Sequence, residues 1–223
     1  MLETILDYIS IFLALMLVLP LHEFAHAFVA VKCGDFTPKA YNRYTLNPFA
    51  HFDVLGIISF VLVGFGWAKP VPINPSNFRH YKRGCFLTSI AGVIANYLLA
   101  FLIIPLFVLS VLYVPEFGYF TYVLQSALGY VYVLSLTFTV FNLIPVYPLD
   151  GFRAVDVFCK KRGKFYWFLK TKGRLVLLIL FALSFFADVT GLWFLDIFGM
   201  FMNLCVDFIG YPILKFWGLI FNG

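Results

Sequence analysis

The segment Leu21-His22-Glu23-Phe24-Ala25-His26-Ala27 sets two imidazoles and a carboxylate inside an apolar run. Residues four apart share one face of an α-helix, so His22 and His26 can offer ring nitrogens to one metal ion while Glu23 sits one residue round the turn. This is the H-E-x-x-H pattern of zinc hydrolases, in which the Glu takes a proton from a water activated by the metal. Two histidines on a helix also occur as satisfied core residues, so the pattern draws its weight from its setting. An ionisable trio well inside a membrane-length segment is costly there and by default marks function.

The setting is a bilayer. Of 223 residues, 62% are hydrophobic and only 12% charged, whereas a soluble domain is nearer half apolar and a quarter charged. No polar linker or internal repeat divides the chain, which reads as one unit over residues 1–223. Cys33, Cys85, Cys159 and Cys205 show neither C-x-x-C pairing nor framework spacing, which argues against a thiolate metal site or a disulfide scaffold. The basic residues are not interleaved with exposed stacking aromatics in a polar domain, which argues against nucleic acid as a partner. Ala25-His26-Ala27 imitates a signal-peptide cleavage site, but Glu3 and Asp7 stand where such a peptide carries Lys or Arg, so the first segment is read as retained.

The elements that must carry these residues follow from charge-free runs. Residues 5–31 form a first span of about 40 Å at ~1.5 Å per residue, with Pro20 predicting a local kink or water access beside the motif. Residues 32–83 are broken by Gly and Pro; within them Val54 to Trp67 is too short for a span and rich in β-branched residues, so a membrane-associated β-hairpin or re-entrant region is expected. Residues 84–115 and 117–149 are the second and third spans, 150–174 a basic cytoplasmic segment, 175–195 the fourth span, and 196–221 a fifth span or an interfacial helix. The expected fold is thus a membrane all-α bundle of about five transmembrane helices.

The basic residues orient it. Seven Lys and Arg fall between spans one and two, eight between spans three and four, and none in the turn between spans two and three. The positive-inside rule puts both loops in the cytoplasm and the N-terminus outside. His22 and Asp150 then lie toward the same cytoplasmic side although far apart in sequence. A catalytic zinc usually takes three protein ligands and leaves one position for water, and Asp150 is the choice for the third. Standing alone, Asp150 would read as a helix N-cap.

Four motifs in order now carry a specific resemblance: His22-Glu23-Phe24-Ala25-His26-Ala27, Leu46-Asn47-Pro48-Phe49-Ala50-His51-Phe52-Asp53, Gly66-Trp67-Ala68-Lys69-Pro70-Val71-Pro72-Ile73-Asn74-Pro75, and Asn142 to Gly151, with Gly92-Val93-Ile94-Ala95-Asn96 as a G-x-x-x-N helix motif. The chain resembles the site-2 protease family of intramembrane zinc metalloproteases, in particular the small bacterial and archaeal type without PDZ or CBS domains. The resemblance implies one Zn2+ per chain held by His22, His26 and Asp150, Glu23 as general base, and Asn142 and Asn96 lining the cleft to steady the oxyanion or substrate backbone. It implies a transmembrane protein or peptide as substrate, the lipid bilayer as surroundings, and the cell membrane as location in a bacterium or archaeon. Val146-Tyr147 separates Pro145 from Pro148, a departure from the family's usual spacing of these prolines, and beyond about Arg174 the resemblance carries little.

His51 reads as a structural residue, since three ligands already complete a catalytic site. The Lys160-Lys161-Arg162-Gly163-Lys164 run reads as a surface drawn to anionic lipid. Two other functions compete with proteolysis: a metal or ion transporter using the same three ligands, and a catalytically inactive homologue that binds membrane proteins. Transport usually needs paired repeats with broken helices, and none is visible. Zinc binding alone does not require Glu23, so its presence favours catalysis.

Overall fold

In a bilayer an apolar segment satisfies its amides most simply within itself, so long uncharged runs become helices. The computed structural model describes residues 2–63 and 68–221. In chain order the helices are α1 (Leu2–Cys33), α2 (Thr37–Ala40), α3 (Pro48–His51), α4 (Val54–Val63), α5 (Tyr81–Tyr113), α6 (Tyr119–Leu143), α7 (Asp150–Asp156), α8 (Lys164–Thr190) and α9 (Ile197–Phe221), with 3-10 turns at Pro75–Asn77 and Trp193–Leu195. Helices α1, α5, α6, α8 and α9 are long and apolar enough to cross a membrane. The chain is an integral, multi-pass membrane protein.

Helices α1, α5 and α6 pack against one another at the centre, with α9 laid against α5 and α6. Ala14 and Val18 of α1, Ile103 of α5 and Val131 of α6 form one buried cluster. Ala100 and Ile104 of α5, Leu136 of α6 and Ile213 of α9 form a second. Small residues at Ala14 and Ala100 let the backbones approach, which is how helices associate where lipid is as apolar as the packing partner.

The expected β-hairpin is absent among the described residues. Val54–Val63 is helical, residues 64–67 lie outside the described residues, and the β pairing is one isolated antiparallel bridge between Phe52 and Ala68. A ten-residue apolar run beside the membrane closes its own hydrogen bonds as a helix. A hairpin would need a second strand and would leave an edge, so tertiary setting overrides β propensity. Asp53 starts this helix: its Oδ1 accepts from the amides of Leu55 and Gly56 at 3.0 and 3.2 Å.

Other boundaries also move. The fourth span begins at Lys164, within the expected basic segment, because charge does not stop a helix whose long basic side chains can reach water along its surface. Residues 197–221 form one helix long and apolar enough to cross a membrane. α1 runs through Pro20 without a break. α6 stops at Leu143 with Ile144 extended, as a residue before proline prefers, and the turn that follows holds a cis Tyr147–Pro148 bond.

The region between α1 and α5 is tied down by side chains. Asp35, with no exposed surface, accepts from the amide and hydroxyl of Thr37 at 3.0 and 2.5 Å, the Asn74 amide at 2.7 Å and Asn77 Nδ2 at 2.8 Å. Burial alone would raise its carboxyl, but these four donors outweigh it and hold the pKa below the ordinary 3.8. His51 is fully buried, with Nε2 2.8 Å from the Thr45 carbonyl, and its own carbonyl accepts from Lys69 N–H at 2.8 Å. The structural role expected of His51 matches this placement.

Candidate metal centre

α1 carries His22 and His26 to its inward face, where both are buried. α7 brings Asp150, also buried, from the far side of the sequence. Leu149, not Asp150, occupies the N-cap position of α7, and Asp150 makes no capping bond. Its carboxylate turns instead to the histidines, with Oδ2 3.3 Å from His22 Nε2 and 2.9 Å from His26 Nε2. The two Nε2 atoms are 3.1 Å apart. These three form the cluster of potential metal ligands found among the described residues.

The outer nitrogens fix which lone pairs face inward. His26 Nδ1–H donates to the Thr88 carbonyl of α5 at 2.6 Å, which leaves Nε2 of the neutral ring as an acceptor. The Asn96 side-chain amide lies 3.1 Å from His22 Nδ1, and Asn96 Oδ1 otherwise lacks a partner in a fully buried site. An amide can present its oxygen or its nitrogen to this point with the same shape. With the oxygen there it accepts the Nδ1 proton and its own unmet need disappears. Two Nε2 lone pairs and a carboxylate oxygen then converge with no donor between them.

A cation meets that need. Tetrahedral zinc with ligands at about 2.0–2.2 Å has ligand-to-ligand edges of roughly 3.3–3.5 Å, close to the 2.9, 3.1 and 3.3 Å observed here. The donor set, two imidazoles and one carboxylate, is one that zinc hydrolases use. A carboxylate binds a metal in its ionised form, and imidazole in its neutral form.

Two glycines let the parts meet. A Cβ at Gly92 would stand 2.5 Å from both His22 Cε1 and His26 Nε2, so α5 can back the imidazoles only without a side chain there. A Cβ at Gly151 would collide with the Leu143 carbonyl, so α7 docks on the end of α6 through that glycine.

Glu23 shares a cavity of about 790 Å³ with the three ligands, and Asn142 lines the same space. Glu23 Oε2 accepts from Val71 N–H at 2.9 Å, and Glu23 Oε1 has no hydrogen bond among the described residues. Asn142 Nδ2 donates to the Phe138 carbonyl at 3.1 Å within α6. Asn96 is not among the residues lining the cavity: it sits behind His22, so the cleft position expected of it gives way to contact with a ligand ring. Sequence reasoning missed Thr88, and quoted Gly92 and Val71 within motifs without giving either a role. The four-residue spacing of Gly92 and Asn96 was a signal that they share a face of α5; the carbonyl of Thr88 and the amide of Val71 leave no trace in residue type.

The fold and the centre define a polytopic membrane protein with a buried cluster of two histidines and one carboxylate that fits a metal ion. The chain is 42% identical over 137 residues to "Putative zinc metalloprotease YwhC" of Bacillus subtilis, covering 61% of this chain and 63% of that protein. It is 28% identical over 160 residues to "Putative zinc metalloprotease Rip2" of Mycolicibacterium smegmatis, covering 68% and 59%. A Rip2 of Mycobacterium tuberculosis (strain ATCC 25618 / H37Rv) with the same name is 27% identical over 212 residues, covering 90% and 78%. The chain is thus similar to proteins that are each named a putative zinc metalloprotease. It spans about three-fifths of the length of the first two relatives. No family model matches the chain, and no solved structure matches it.

Proposed function

We propose that this protein is a zinc endopeptidase that cuts peptide bonds within or beside transmembrane segments of other proteins, with its site toward the cytoplasmic side. The observation that carries the reading is the convergence of three buried acceptor atoms on one point, in a cavity that also holds Glu23. His22, His26 and Asp150 hold the metal. Zinc, when bound, supplies a Lewis acid that polarises a carbonyl and lowers the pKa of water toward neutrality.

The chain's own residues do the rest. Glu23, with Oε2 anchored by Val71 N–H, keeps Oε1 available to take a proton from the attacking water and pass it to the leaving amine. Asn142 on the cavity wall offers an amide to the substrate backbone. A substrate helix hides its amides in internal bonds and must unwind before cleavage. Pro70, Val71 and Ile73 line the same cavity, and carbonyls of this stretch, which accept no hydrogen bond among the described residues, can accept from the unwound backbone, as strand addition does.

Cleavage of a transmembrane model substrate by the purified protein, compared with Glu23→Gln, tests the reading. Glu23→Gln should retain zinc and lose at least about a hundredfold in rate. Undiminished cutting by Glu23→Gln contradicts the general base. Zinc flux into liposomes without cutting would favour transport, and tight binding without turnover an inactive homologue.

A further inference from the structure

The cavity wall combines apolar side chains, among them Leu19, Phe138, Phe141 and Leu177, with two guanidiniums, Arg153 of α7 and Arg174 of α8. Arg174 has no carboxylate within 4.0 Å among the described residues. It is held by a neutral partner, Tyr147: Nη2 lies 3.4 Å from the hydroxyl, and the guanidinium carbon sits 5.2 Å over the ring. Arg153 reaches Asp150 Oδ1 at 3.8 Å, beyond hydrogen-bond distance, while Oδ2 of the same carboxylate faces the imidazoles.

Two carboxylates, Glu23 and Asp150, and these two guanidiniums line the space, so its formal charge balances without a metal. A divalent ion leaves it cationic. The planar fork of Arg fits a carboxylate, and both guanidiniums are exposed, open to an incoming ligand. Stacking on Tyr147 orients the Arg174 fork before any ligand arrives, which lowers the cost of binding.

We infer that Arg153 and Arg174 form a subsite for an acidic side chain flanking the scissile bond, so that substrates carry Asp or Glu near the point of cleavage. The inference rests on the protease reading and names its substrate class. Lipid phosphate offers similar chemistry, but both guanidiniums line the cavity that holds Glu23, where a substrate side chain is the nearer ligand.

The test reads binding, not cutting. Full-length Glu23→Gln protein in phosphatidylcholine nanodiscs is titrated with labelled leucine-rich transmembrane peptides that carry Glu, Gln or Lys at each juxtamembrane position in turn. At one or two adjacent positions the Glu peptide should bind at least about tenfold tighter than Gln, with Lys weakest. Adding Arg174→Glu, with zinc content and helicity checked, should reverse the order of Glu and Lys. Equal binding of Glu and Lys peptides at every position overturns the inference, as does an order that survives Arg174→Glu. If Arg174→Glu leaves the order intact but abolishes a preference for phosphatidylglycerol nanodiscs, the guanidiniums serve lipid and the subsite is refuted. Failure of the wild-type protein to cut any substrate is a separate result that bears on the protease reading.

Discussion

Gly92 gives the centre its sharpest residue-scale test, because helix propensity and site geometry pull in opposite directions there. Alanine favours a helix by about 1 kcal/mol over glycine, yet its Cβ would press on both imidazoles. Gly92→Ala should therefore keep its helicity by circular dichroism and lose at least about tenfold in zinc affinity by competition with a chelator. Asn96 acts through His22 in the same way. Asn96→Ala removes the partner of Nδ1 and should weaken zinc binding by roughly 10–100-fold, while Asn96→Asp, which can still accept the Nδ1 proton, should recover most of it. Unchanged affinity in Asn96→Ala would mean the buried amide supports packing alone.

At the scale of elements, the non-helical stretch beside the site depends on a few anchors. Lys69 is held by the His51 carbonyl, Val71 by Glu23, and Asn74 by Asp35. Because Asp35 has a depressed pKa in the folded protein, its stabilising contribution is complete above the unfolded value near 3.8 and is lost as pH falls through the lower folded value. Asp35→Asn should cost about 1–3 kcal/mol near neutrality and flatten the loss of stability below about pH 4. An acid-unfolding curve that keeps its wild-type slope in Asp35→Asn would contradict this.

Elements differ in how far they were legible. Uncharged runs bounded by basic residues announced five spans, because burying charge in lipid is costly wherever the run occurs. The clustering of His22, His26 and Asp150 was legible from the H-E-x-x-H spacing and from the topology that puts Asp150 on the same side; residue type alone would have left Asp150 a helix cap. The helix at Val54–Val63 was not: its β-branched content suits a strand, and only the surroundings decide. The extension of α8 back to Lys164 was hidden for a related reason, since a helix can carry its basic residues into water on one face. Arg174 looked like one more cation of a surface loop until α8 placed it on the cavity wall.

For the whole molecule, five membrane-length helices and the Lys and Arg asymmetry lead us to propose a topology with the N-terminus outside and the C-terminus in the cytoplasm. In a background with Cys33, Cys85, Cys159 and Cys205 replaced by Ser, Glu116→Cys should react with an impermeant maleimide on intact cells. Lys161→Cys should react only after permeabilisation. The reverse pattern would put the metal centre on the opposite side.

All of these levels depend on our proposal that side chains from α1 and α7 hold one ion. Metal analysis of the purified protein by inductively coupled plasma mass spectrometry tests that directly. About one zinc per chain is expected in the wild type and in Glu23→Gln, and a small fraction of that in Asp150→Ala of equal helicity. A metal-free wild type purified without chelators, or Asp150→Ala that keeps its full zinc content, would contradict the account.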